Sequence, residues 1–157
     1  MRRAFGEWIT KIAEEDKSIY LIVGDIGYGI FDDFRKKYPT RFINIGVCEQ
    51  SMIGISAGMA LMGLKPYVFT ITPFLIERAF EQIKIDINLN KVNVKLIGYD
   101  DYPDQGPTHA LTDDGKFMNI FGNIKSYWPQ NSQETMKYLT ESYFSKCPTF
   151  IRLQYDK

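Results

Sequence analysis

Three side chains able to do acid-base or stacking chemistry stand where the character of the sequence changes. Glu49 separates the apolar run FINIG from SMIGISAGMALMG (51–63), which has almost no polar face. His109, the one histidine of the chain, closes a GPTH turn, with Asp113 and Asp114 just after it. A loop histidine beside carboxylates can move protons near neutral pH or bind a substrate, and it can equally stand in solvent. Phe74 follows Ile71 and Pro73 and offers a flat apolar face, or packs as core. Glu49 has a plain reading too, as an acidic first-turn residue that suits the positive end of a helix dipole.

The elements that must position these groups alternate along the chain. Phe5, Trp8, Ile9 and Ile12 recur at helical spacing, and SIYLIV (18–23) reads as a buried strand ending at Gly24. A short helix is predicted near Phe31 to Lys37, then a strand in RFINIG, then a helix over 49–62 closed by Gly63. That helix is apolar all round, which predicts burial on every side, and its glycines imply close approach by another element. PYVFTI (66–71) is a third strand. Pro73 opens the helix that turns Phe74, Ala79, Phe80, Ile83 and Ile87 inward. VNVKLIG (92–98) is a fourth strand, and Tyr99 to Asp114 an irregular surface loop. A strand near Ile124 to Tyr127, a helix opened by NSQE (131–134) and a strand TFIRLQ complete the chain.

Strands joined by helical crossovers predict an α/β fold, a three-layer α/β/α sandwich with a mainly parallel central sheet of about six strands. Ligands on such sheets gather beyond the carboxyl ends of the strands. Asp25, Glu49, the 71–74 segment and the 99–115 loop all follow strand ends and so share one rim. The 157 residues fit a single domain over 1–157.

Composition excludes several classes. Lys plus Arg and Asp plus Glu both number 19, so bulk charge points to neither nucleic acid nor an anionic membrane. Cys48 and Cys147 form no CxxC pair and no Cys/His cluster, which fits a reducing cytoplasm. No run approaches the about 20 apolar residues of a membrane span. The chain has no GxGxxG, no GxxxxGK[ST] and no GxSxG, and Asp25, Asp32 and Asp33 lack the spacing of a calcium loop.

RFINIGVCEQSMIGISAGMALMGLKPYVFTITPFL (41–75), followed by DQGPTHALTDD (104–114), resembles the pyrimidine-binding domain of the transketolase family, which includes deoxyxylulose-phosphate synthase and the β subunits of 2-oxoacid dehydrogenases. The resemblance spans nearly the whole chain. It implies that Glu49 shares a proton with N1′ of the thiamine diphosphate aminopyrimidine and so activates the cofactor. It implies further that Phe74 stacks on that ring, that Ile71 forms another wall, that Arg78 lies near the ring, and that Asp25 stands close to the cofactor. His109 corresponds to the family's substrate-facing histidine. Tyr99, Gln105 and Arg152 fall at or near other substrate positions. The chain departs from the pattern where the family has a second loop histidine (Tyr99), a sugar-contacting aspartate (Gln105), a phosphate-clamping arginine (Tyr155) and a phosphate-contacting serine (Gly29).

The family binds diphosphate and Mg²⁺ through a separate domain with a GDG motif. Neither that domain nor the family's usual C-terminal domain is matched here. The resemblance therefore implies a split enzyme, in which a diphosphate-binding subunit, commonly in an α2β2 assembly, carries the Mg²⁺ ligands and packs on the 49–62 helix. The leading expectation is a transferase moving a two-carbon ketol unit between sugar-type substrates. The alternatives are a subunit of a split 2-oxoacid decarboxylase or dehydrogenase, and a non-catalytic partner of a thiamine enzyme.

Overall fold

Successive side chains of a strand face opposite ways, and here that alternation feeds two separate cores. In the computed structural model, which describes residues 1–111 and 113–155, Ile19, Leu21, Val23, Tyr67, Phe69, Ile97, Tyr99 and Ile151 face one core. Ile22, Val68, Leu96 and Phe150 face the other. The strands are β1 (Ile19–Val23), β2 (Phe42–Asn44), β3 (Lys65–Ile71), β4 (Lys95–Tyr99), β5 (Lys125–Tyr127) and β6 (Thr149–Leu153). They form one sheet in the order β2-β1-β3-β4-β6-β5, with every pairing parallel. The predicted three-layer α/β architecture and strand number hold.

Helix α1 (Arg2–Glu15) buries Phe5, Trp8 and Ile9, the face its spacing predicts. Its carboxyl end is completed from a distance: Arg41 Nη2 donates to Ala13 O at 2.9 Å and Nη1 to Asp16 O at 3.1 Å, giving a cation and donors to the negative end of the helix. On the same side lie α2 (Asp32–Lys37) and α6 (Ser132–Phe144), the latter capped by Asn131, whose side chain accepts from Glu134 N at 2.9 Å. The other side carries α3 (Glu49–Leu61), a helical segment over residues 74–89, and α5 (Asp114–Asn119). Gly63 follows α3 with φ +86, the left-handed conformation that ends a helix at little cost only for glycine.

Four features differ from the sequence expectation. Only one face of α3 is buried, through Glu49, Met52, Ile53, Ser56 and Ala57, while Ile55, Leu61 and Met62 are exposed. The 74–89 segment is π-helical over Phe74–Arg78 and Ile83–Leu89, with α4 (Phe80–Gln82) between. α5 follows the predicted 99–114 loop, over residues to which the sequence reading assigns no element. β4 starts at Lys95, whose fully buried ammonium donates to Ser145 O and Cys147 O, both at 3.0 Å; burial brings its pKa down to about 7.

Candidate functional site

Glu49 opens α3 directly after the β2 turn, so its carboxylate lies at the positive end of the helix, and it is 4% exposed. A buried carboxylate needs a partner, and Arg78 supplies one from another element, with Nη1 at 3.2 Å from Glu49 Oε1. Pro73 leads into the π turn in helical conformation (φ −59), after which Phe74 and Arg78 end up face to face. The Arg78 guanidinium carbon lies 3.3 Å from the Phe74 ring centroid, a cation–π contact. A π turn is wider than an α turn and is frequent at functional sites.

The loop after β4 brings His109 to the same ring. Its imidazole meets Phe74 edge-on, with centroids 4.7 Å apart at 65°. Two short 3-10 turns, Pro103–Gln105 and Pro107–His109, are joined at Gly106, whose φ of +100 would strain any other residue. His109 N donates to Gly106 O and Tyr102 N to His109 O, which closes the turn on itself. Thr108 Oγ1 lies 3.1 Å from His109 Nδ1.

A cleft of about 380 Å³ opens at this rim, lined by Arg2, Asp25, Ile71, Phe74, Gln105 and His109 among others. Asp25 sits at φ +54 just past β1; its Oδ1 accepts from Asn44 Nδ2 (3.0 Å) and Tyr28 Oη (2.9 Å). The hydrogen bonds from Asn44 and then Tyr28 hold this carboxyl below the usual aspartate range. Glu49 and Arg78 do not line the cleft themselves; they connect to it through Phe74. The sequence-predicted residues Asp25, Glu49, Ile71, Phe74, Arg78, Gln105 and His109 thus form one neighbourhood.

Tyr99 and Arg152 are not brought to the cleft. Tyr99 is 1% exposed because strand parity points it with Ile97 into the core; burial pushes its phenol above the usual tyrosine range. Arg152 is tied down by three carboxylates, Asp100, Asp101 and Asp114. Arg2 was not anticipated. It lines the cleft because α1 begins at this rim, where Met1 Sδ accepts from Gln154 N at 3.2 Å, and its guanidinium stands 4.4 Å over the Tyr99 ring. No spacing in the sequence signals this, since Arg2 and His109 meet only through the topology. Among the described residues no three His, Cys, Asp or Glu side chains gather as a metal site would require, and no helix is long and apolar enough to cross a membrane.

Residues 1–156 match the family described as transketolase, pyrimidine binding domain. One of the subunits of the apulose-4-phosphate transketolase of Actinobacillus succinogenes is 39% identical over 76% of this chain and 40% of its own length. The protein of the same name from Phocaeicola vulgatus is 30% identical over 97% of this chain and 50% of its own. The chain therefore spans about half the length, or less, of these curated relatives. A split gene transketolase solved as an inactive β4 tetramer superposes with a TM-score of 0.89 at 28% identity, covering 99% of this chain and 50% of that one.

Proposed function

Because the chain belongs to the transketolase pyrimidine-binding domain family, we propose that it is the pyrimidine-binding part of a two-component, thiamine diphosphate-dependent transketolase that moves a two-carbon ketol unit between sugar-type substrates. The observation that carries this reading is the unbroken row Glu49, Arg78, Phe74 and His109, which runs from a buried carboxylate to an open cleft. A dry carboxylate beside a half-buried aromatic and an aliphatic wall at Ile71 suits an aminopyrimidine. Bound thiamine diphosphate supplies the carbon nucleophile that takes up and hands on the ketol fragment.

In this reading Glu49 holds or releases the proton at the pyrimidine nitrogen, screened from water. Arg78 offsets the charge of the carboxylate and covers one side of Phe74, which leaves the rest of the ring and Ile71 for stacking. His109, with Nδ1 beside Thr108, presents Nε2 to a substrate hydroxyl or carbonyl. Arg2 is the cation on the cleft wall suited to an anionic group of the substrate, such as the phosphate in the relatives' name.

Both apulose-4-phosphate relatives are named as one subunit of their enzyme, which supports a partner subunit. In this reading the partner brings the diphosphate and Mg²⁺ site, in an α2β2 assembly. Its docking surface is the exposed side of α3, where Val47, Ile55, Leu61 and Met62 stand open to solvent and Gly54 and Gly58 permit close helix approach. The free thiols of Cys48 and Cys147 suit a cytoplasmic setting. The test is product analysis with the chain reconstituted with a diphosphate-binding subunit, offered ketose donors or 2-oxoacids. Ketol transfer to an aldehyde acceptor supports the proposal. Carbon dioxide release from 2-oxoacids without ketol transfer overturns it.

A further inference from the structure

Arg152 lies on β6 opposite Gly98 of β4, beside the root of the loop that carries Gln105 and His109. Its side chain is 17% exposed. The two terminal nitrogens serve opposite ends of that loop: Nη2 is 3.1 Å from Asp101 Oδ1 and 3.8 Å from Asp100 Oδ1, while Nη1 is 3.1 Å from Asp114 Oδ1. Each of the two nearer carboxylates reaches onward. Asp101 Oδ2 accepts from Leu111 N at 3.4 Å, two residues past His109, and Asp114 Oδ2 accepts from Trp128 Nε1 at 2.8 Å. Asp100 itself sits at φ +37, in the left-handed region that aspartate enters more readily than most residues. A single carboxylate would compensate the guanidinium charge. Two carboxylates on separate nitrogens of a planar fork also fix direction, which a lysine ammonium cannot do.

We infer that Arg152 is a positioning residue: it clamps both ends of the 100–114 loop so that His109 stays edge-on to Phe74, and it does not contact substrate. This differs from the substrate-binding role that the family resemblance implies for it, and it rests on the reading of His109 as the substrate-facing group.

The experiment uses the enzyme assembled with its diphosphate-binding subunit and compares Arg152→Met, Arg152→Lys, His109→Asn and the double variant Arg152→Met/His109→Asn. Arg152→Met raises KM for the ketose donor about tenfold with cofactor affinity within about twofold of the original, and Arg152→Lys recovers only part of the loss. The double variant has the KM of His109→Asn alone, since both changes act through one imidazole. An unchanged KM in Arg152→Met, or losses that multiply in the double variant, overturns the inference. If the unaltered enzyme turns over no ketose, the functional reading fails, and the clamp is then judged by amide hydrogen exchange. Faster exchange at Tyr102 and His109 in Arg152→Met, with the sheet amides unchanged, supports it; unchanged exchange in the loop overturns it.

Discussion

Arg78 Nη1 lies 3.2 Å from Glu49 Oε1, although the two residues belong to helical segments on different crossovers of the sheet. Glu49 is almost wholly buried and Arg78 about one-third exposed, so the pair is asymmetric: the carboxylate depends on the cation more than the reverse. Arg78→Met keeps packing over Phe74 and removes the charge. Discounted for the exposure of Arg78, the expected cost is about 1–2 kcal/mol, read as a fall in Tm of roughly 2–8 °C. An unchanged Tm would show that Glu49 is compensated by something else.

The Phe74 ring touches both Arg78 and His109. Phe74→Leu preserves bulk and removes the aromatic face, so cofactor affinity of the assembled enzyme falls about 3- to 10-fold. Titration of the cofactor against intrinsic fluorescence or heat measures it, and equal affinity in both proteins would remove Phe74 from the cofactor site.

His109 stands where the cleft opens, away from the Glu49 end of the row. His109→Asn is expected to lower kcat/KM for the ketose donor about 100-fold and to leave cofactor affinity unchanged. Steady-state kinetics beside a cofactor titration separates the two, and parallel losses in both would contradict the division of labour between Glu49 and His109.

At the opposite end of the sheet, Asp16 binds Lys65 Nζ at 2.7 Å and also takes hydrogen bonds from Ser18 and Tyr143. Burial alone would raise the Asp16 carboxyl, but the hydrogen bonds from Lys65 and Ser18 outweigh it and bring the pKa from 3.8 to about 2. A carboxyl lowered by folding contributes stability that is fully present above the unfolded value and is lost as pH falls through the folded one. Asp16→Asn should therefore flatten the loss of stability between about pH 4 and pH 2, a contribution of about 1–2 kcal/mol. Urea unfolding at several pH values measures the slope, and an unaltered slope would refute the assignment.

Much of the fold was legible because hydrophobic period is a local property. Short apolar runs marked β1, β3 and β6, and the spacing of Phe5, Trp8 and Ile9 marked the buried side of α1. What the sequence hid depends on tertiary context. An apolar period cannot say which side of α3 the monomer covers, and the exposed Ile55, Leu61 and Met62 become visible only once the sheet occupies the other side. The π turn at Phe74 brings together residues whose partner, Glu49, comes from another crossover. α5, six residues long just past the 99–114 loop, is too short to show a helical period. For the site, Glu49, Phe74 and His109 were recognisable by motif. Tyr99 and Arg152 were assigned by position alone, although strand parity already sends Tyr99 inward with Ile97. Arg2 reaches the cleft only through topology.

Glu49→Gln asks whether Glu49 is the proton-handling carboxylate of the cofactor site, because the amide keeps size and shape. In the enzyme assembled with its diphosphate-binding subunit, the measurement is the rate of exchange of the thiazolium C2 proton of thiamine diphosphate for deuterium. A fall of about 100-fold or more is expected, with assembly and Tm little changed. Exchange in Glu49→Gln as fast as in the unaltered enzyme would contradict it.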